Sequence, residues 1–365
     1  MLNVNFFPSK RIALYMARIF LLRSLAVLAA LVVVLMTLDL LGESGKILAQ
    51  EGNGDAELWR YVSLRIPQLI ARFLPFAVLL GTLITLATLN QNSEVVSMKA
   101  AGISAHQIIA PLMVTSLLIA GVSFLFNERV VTRATATLAD WEKVDYGAVP
   151  RDTGTKVNVW VRHEDDLIHA REVVGSGPAI LLRNVTVYER DYETLRAVIT
   201  AREARPGAKG WSFADANVFD VESGKSRTEA SFSFGEGLDP VQFTLADVDP
   251  DRQDFSTLRA SIAQLKAAGR STMSLEPGLW HKISGPLSAV LMPLLAGIAA
   301  FGLARSGQLF LRVVAGMGLG FSYFVADNFS LAMGNLGAYP PLLAAWAPFA
   351  LFLLIGEAVL VRTEE

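Results

Sequence analysis

Long apolar runs without a single Asp, Glu, Lys or Arg constrain this chain more than any other feature. Such runs lie between Arg23 and Asp39, between Arg72 and Glu94, between Lys99 and Glu128, and between Lys282 and Arg305. A helix that crosses a bilayer needs about 20 mostly apolar residues. Counting on that basis predicts six spans, at about 19–41, 66–90, 104–127, 279–303, 310–333 and 339–361. The last two are separated by Gly334, Asn335, Gly337, Pro340 and Pro341, a cluster of helix breakers. Lys10, Arg11, Arg18 and Arg23 precede or open the first run, as in a signal peptide. That run is too long for one, and no small-x-small cleavage site follows at Leu41-Gly42-Glu43-Ser44, so it reads as an uncleaved helix.

The middle of the chain differs in character. Hydrophobic residues make up 52% of the sequence and charged residues only 18%, but the charges concentrate between Glu128 and Pro277. The predicted organisation is therefore residues 1–127 with spans one to three, 128–277 as a water-facing all-β domain, and 278–365 with spans four to six. Val157, Val159 and Val161 alternate in the manner of a strand, as do Val185 with Val187, Phe232 with Phe234, and Val241 with Phe243 and Leu245. Turn signals intervene at Gly175-Ser176-Gly177-Pro178, Pro206-Gly207 and Gly235-Glu236-Gly237. Short strands so spaced suggest a sandwich, a jelly roll or a half-open roll. Trp160, Trp211 and Phe219 are assigned to its core. From Ser256 the period turns helical, with Leu258, Ile262 and Leu265 as a stripe and Gly269 as the C-terminal cap.

Orientation follows from Lys and Arg in short loops. An even span count places both termini on one side, together with Lys10, Arg11, Arg18, Arg23, Lys99, Arg305, Arg312 and Arg362. The opposite short loops hold Lys46, Arg60 and Arg65. The expectation is cytoplasmic termini and a periplasmic β domain.

Few residues suggest chemistry. The chain has no cysteine, which removes disulfides and thiol chemistry. The run Gly316-Met317-Gly318-Leu319-Gly320 lies inside a span and lacks the Lys-Ser/Thr of a phosphate loop. Gly316 and Gly320 read instead as a small-xxx-small packing face. His106, His163, His169 and His281 show no metal-ligand spacing. No catalytic arrangement, metal, cofactor or nucleic-acid partner is expected. Asp39, Arg72 and Asp327 are ionisable groups within spans, too few for a midplane ion relay. Asp327 serves either a mechanism or packing through hydrogen bonds. Arg65, Gln68 and Arg72 share one helix face near the outer end of the second span. With Lys46 nearby, they suit an anionic lipid headgroup or, alternatively, general interface anchoring.

Between spans two and three lies the most informative short segment, Ser93-Glu94-Val95-Val96-Ser97-Met98-Lys99-Ala100-Ala101-Gly102. Ser93 is placed to cap a short helix and Gly102 to end it. Val95, Val96 and Met98 give it apolar knobs, and Glu94 and Lys99 give it charge. Such a helix suits docking in a partner's groove, or else lies in the lipid interface.

That segment, with Leu80-Gly81-Thr82-Leu83 before it, resembles the signature of the LptF/LptG permease family. Further likenesses follow at Leu265-Lys266-Ala267-Ala268-Gly269, at Trp280-His281-Lys282-Ile283-Ser284-Gly285-Pro286-Leu287, and at Tyr339-Pro340-Pro341-Leu342-Leu343-Ala344-Ala345-Trp346-Ala347-Pro348. The end of the first span, 38–43, and Asp327 are more like the LptG branch than its LptF paralogue. This resemblance implies a permease subunit of a Gram-negative inner-membrane lipopolysaccharide exporter. Its implied partners are an LptF-like permease, an LptB-like ATPase dimer and a single-span LptC-like protein. It also implies a jelly-roll-type β domain, ATP hydrolysis on a separate subunit, and the 93–102 helix as the link to that ATPase. The family's basic residues at the outer end of the first span are replaced here by Gly42 and Glu43, leaving Lys46. Two rival classes stand beside this reading. A secondary transporter for small solutes needs a polar path through the membrane, and a membrane-anchored periplasmic scaffold needs only one or two anchors.

Overall fold

The computed structural model describes residues 9–147, 155–175, 179–192, 194–207, 210–245, 248–302 and 309–362; the side chains of 155, 157, 301, 302 and 309–312 lie outside the description. Arg305, the turn at 176–178 and the side chains of Val157 and Arg312 therefore fall outside it. The chain divides into two compact units. One comprises Met1–Ala148, Pro250–Phe255 and Met273–Glu365; the other comprises Val149–Asp249 and Ser256–Thr272.

The first unit is helical. It contains α1 (Lys10–Ala49), α2 (Asp55–Gln91), α3 (Glu94–Ala100), α4 (Ala105–Phe126) and α5 (Thr132–Glu142), then α8 (Glu276–Gly297), α9 (Leu309–Asn335) and α10 (Pro341–Arg362). Among the described residues, five helices are long and apolar enough to cross a membrane: Lys10–Ala49, Asp55–Gln91, Ala105–Glu142, Glu276–Ala300 and Pro341–Arg362. The 27-residue α9 occupies the place of the fifth predicted span.

The helices outrun their apolar segments. α1 begins at Lys10, where the Ser9 hydroxyl accepts from the Ile12 amide at 3.2 Å. α4 continues past Asn127 through a π-helical turn, Asn127–Val131, into α5. Ala134, Leu138 and Trp141 are buried at helical spacing, which explains why the polar stretch stays helical.

Along α1 the buried residues recur every fourth position: Met16, Phe20, Ser24, Leu28, Val32 and Met36. Leu22, Leu25, Val33, Val34, Leu38 and Leu41 on its other faces are exposed. An apolar surface of this extent is stable against lipid or another apolar helix, not against water. Close approach of small residues then carries the packing. A Cβ at Gly81 would collide with Ser24. One at Gly316 would lie 2.6 Å from Leu83 Cδ2, and one at Gly320 would collide with Leu79, so both glycines of α9 face α2.

The second unit holds a six-stranded antiparallel sheet in sequential order: β1 (Thr155–His163), β2 (Asp166–Val174), β3 (Leu181–Asp191), β4 (Thr194–Gly207), β5 (Gly210–Asp220) and β6 (Lys225–Phe234). Val159, Val161, Ile168, Val185, Val187 and Ile199 alternate onto one buried face. The described strands form a plain meander, with no Greek-key crossover. Two short pieces follow, α6 (Val241–Thr244) and α7 (Phe255–Ala267). Leu258, Ile262 and Leu265 of α7 are buried, and Gly269 follows it at φ +72°.

Three expectations for this unit fail. Val241, Phe243 and Leu245 do not form a strand, because Pro240 presets a helical φ and Asp239 Oδ1 accepts from the Val241 amide at 2.9 Å. Phe243 still reaches the core, packing edge-on to the buried Trp211 with centroids 4.8 Å apart. Trp160 and Phe219 sit on the opposite face and are 49% and 41% exposed. Trp160 stacks on its cross-strand partner His169 at 4.4 Å.

Candidate functional site

Two polar regions of the helical unit, and two approaches of ionisable side chains between its spans, are candidates for function. The first region is built on α3. The break between α2 and α3 is made by Ser93, which adopts φ +57° and makes no cap with its side chain. Its expected role as a hydroxyl cap is thus not realised; its carbonyl instead accepts from the Ser97 amide and hydroxyl, both at 3.0 Å. A non-glycine residue in this region costs about 1 kcal/mol or more. At the other end Gly102 takes φ +81°, and the Ile103 amide reaches back to the Met98 carbonyl at 3.0 Å. α4 starts immediately, with Ser104 and Gln107 in a reciprocal capping box.

Val95 is 3% exposed within the main helical core, and Met98 packs against that core. Val96, by contrast, is 63% exposed, and Lys99 also lies at the surface. The Glu94 carboxylate accepts from Tyr15 Oη at 3.2 and 3.4 Å and from Asn92 Nδ2 at 3.2 Å. α3 therefore has one face seated in the core and one apolar and charged face turned outward.

The second region joins α1, α2 and the segment after α5. Arg65 Nε and Nη2 donate to the two oxygens of Asp39 at 2.9 and 3.0 Å, a bidentate pair. Arg65 Nη1 donates to Gln68 Oε1 at 2.9 Å, and Tyr61 Oη donates to Asp39 Oδ2 at 2.6 Å. Arg65 and Gln68 are thus brought together as the helix spacing predicts, but Asp39 neutralises the arginine. Arg72, two turns along, is exposed. Lys46 pairs with Glu43 at 2.9 Å, and Tyr146 Oη donates to Glu43 Oε2 at 3.0 Å. Burial first, and then this bond to a carboxylate, raises the Tyr146 pKa. Arg60 lies 4.5 Å over the Trp141 ring, and Trp141 Nε1 donates to the Gly147 carbonyl at 3.1 Å.

Asp327 of α9 lies 3.9 Å from His281 Nε2 of α8. Beside it, Lys282 Nζ is 3.7 Å from Glu128 Oε1, with side-chain exposures of only 7% and 15%. Glu128 Oε2 accepts from the Phe255 amide at 2.6 Å. These partners were not apparent in the sequence. Glu128 and Lys282 stand in the sequence only as charged limits of apolar runs, and Tyr15 lies ahead of the first predicted span with nothing to single it out. Among the described residues, no three His, Asp or Glu side chains are grouped to hold a metal ion.

Apolar helices of membrane-crossing length on both sides of an inserted antiparallel β unit, with a short half-exposed helix between the second and third spans, define a polytopic membrane protein. Residues 14–362 match the family described as lipopolysaccharide export system permease LptF/LptG, and the chain belongs to that family. It is 27% identical over 323 residues to the lipopolysaccharide export system permease protein LptG of Escherichia coli K12, covering 86% of this chain and 88% of that protein. It is 26% identical over 344 residues to the LptG of Haemophilus influenzae, covering 90% and 94%.

Proposed function

We propose that this chain is the LptG-type permease subunit of a lipopolysaccharide exporter, which extracts the lipid from the inner membrane and passes it toward a periplasmic bridge. The observation that carries this reading is family membership over nearly the whole chain, together with relatives named LptG along most of both lengths. The chain works beside an LptF-like permease, an LptB-like ATPase dimer and a single-span LptC-like protein. The ATPase subunit hydrolyses ATP; this chain turns that into movement of the lipid.

The physical features agree. A large amphiphile needs an apolar wall with a few cations at its rim, and the exposed apolar faces of α1 and α9 supply wall. Arg72 is the cation of the stripe open to a phosphate. Arg65, Gln68 and Lys46 contribute once their internal partners, Asp39 and Glu43, are exchanged for phosphate oxygens. Photo-crosslinkers at positions 65 and 72 are expected to capture lipopolysaccharide in proteoliposomes, and ATP with the ATPase to clear the adduct-forming pool. Capture at neither position, or capture indifferent to ATP, would oppose this role.

In this reading both termini and Glu94 are cytoplasmic and the β unit is periplasmic. The native chain has no cysteine, so single-cysteine labelling has no background. Gly224 sits in the β5–β6 turn, with open space where a side chain would project. A Gly224→Cys variant is expected to react with an impermeant maleimide in cells whose outer membrane alone is opened. Reaction only after the inner membrane is permeabilised would reverse the orientation.

A further inference from the structure

We propose that Tyr15 is a positioning residue for energy coupling: its hydroxyl ties the Glu94 carboxylate, and with it α3, to the first span. The inference rests on the reading of α3 as the ATPase-facing helix and goes beyond it, by naming where the motion of α3 goes.

α3 is only 7 residues long and is joined covalently to α2 on one side and α4 on the other. Its connection to α1 is not covalent. On the buried side Val95 shares a core cluster with Met16 and Phe20 of α1. On the exposed side the Tyr15–Glu94 hydrogen bonds close the link, at 3.2 and 3.4 Å. Two turns further along α1, Arg23 Nη1 donates to the Ile84 carbonyl of α2 at 3.0 Å. The cytoplasmic half of α1 is thus pinned to α2 and α3, and its most apolar window is the least buried among the five described helices of membrane-crossing length. Because α1 is tied again at its far end, through Asp39 to Arg65 and Tyr61, a push on the Tyr15 end is carried along the helix to that second tie.

The geometry at Glu94 permits this while a partner is bound. A carboxylate has about four lone-pair sites. Tyr15 and Asn92 engage the carboxylate from within the chain, leaving capacity for an incoming guanidinium or ammonium. Tyr15 therefore holds the carboxylate in one orientation for the partner's cation, and moves with it.

The test uses the assembled exporter in proteoliposomes containing lipopolysaccharide and reads lipid released per ATP hydrolysed. Tyr15→Phe removes a single oxygen from a half-exposed side chain and keeps its packing. It is expected to assemble, melt as the wild type does and hydrolyse ATP, but to release roughly three- to tenfold less lipid per ATP, as for the loss of one ordinary, solvent-exposed hydrogen bond. Glu94→Lys in parallel separates the two readings. If Glu94→Lys remains coupled, α3 is not the ATPase-facing helix. If Glu94→Lys is uncoupled while Tyr15→Phe keeps the wild-type ratio, the positioning role of Tyr15 is overturned and the reading of α3 stands.

Discussion

Glu94→Lys is expected to abolish lipopolysaccharide export while the chain still inserts and its β unit still folds. Glu94 is the acid of α3, and α3 presents Val96 and Lys99 outward beside it. On docking, an Arg or Lys of the ATPase would meet this carboxylate in a contact that largely excludes water. Breaking such a pair from one side costs about 3–5 kcal/mol, because the other charge stays buried without a partner. That is enough to uncouple or release the ATPase. Glu94→Ala removes the pair; Glu94→Lys also adds repulsion and is expected to be the worse of the two. Neither reaches the buried Val95 or the β unit, so insertion and folding are preserved. The measurement is ATP hydrolysis and lipid release in reconstituted vesicles. Wild-type coupling in Glu94→Lys would leave α3 as a helix that merely rests at the membrane surface.

Which features were legible in the sequence follows from the kind of force involved. Spans announce themselves because lipid excludes charge over about 20 residues, and strands because one face alternates into a core. The stripe Leu258, Ile262 and Leu265 was legible for the same reason. Helix ends were not. Hydropathy measures contact with lipid, whereas α4–α5 stays helical through Glu128, Arg129 and Arg133 because Ala134, Leu138 and Trp141 are buried behind them. Which side of the sheet an aromatic faces was also hidden where turns reset the register, so Trp160 and Phe219 were assigned to a core that lies on the other face. Pairings between distant helices are the least legible of all. Asp39 and Arg65 were each conspicuous alone, but nothing in a linear pattern says that they meet and cancel. Tyr15 has no periodic or compositional mark, and its meaning comes only from the carboxylate 79 residues away.

The contact between Glu128 and Lys282 is expected to carry the largest single effect on stability. Its partners are among the most buried charges of the helical unit, at 15% and 7% side-chain exposure. Lys282→Met keeps the apolar stem but removes the cation from the Glu128 carboxylate, whose Oε2 still accepts from the Phe255 amide at 2.6 Å. An uncompensated charge in such a site costs about 3–5 kcal/mol. Glu128→Gln is expected to cost less on the amide side, since its carbonyl oxygen still accepts from Phe255, but it leaves the ammonium of Lys282 unpaired. The decisive comparison is the double variant Glu128→Gln with Lys282→Met. If the two charges stabilise each other, the double variant is less destabilised than the sum of the singles, because removing both leaves no charge stranded. Unfolding of the purified chain in detergent, followed through the helical signal, gives all three values. Strict additivity would show that the 3.7 Å approach is incidental. A large coupling would identify Glu128 as the residue that joins the π-helical turn, the Phe255 amide and the start of α8 within the helical unit.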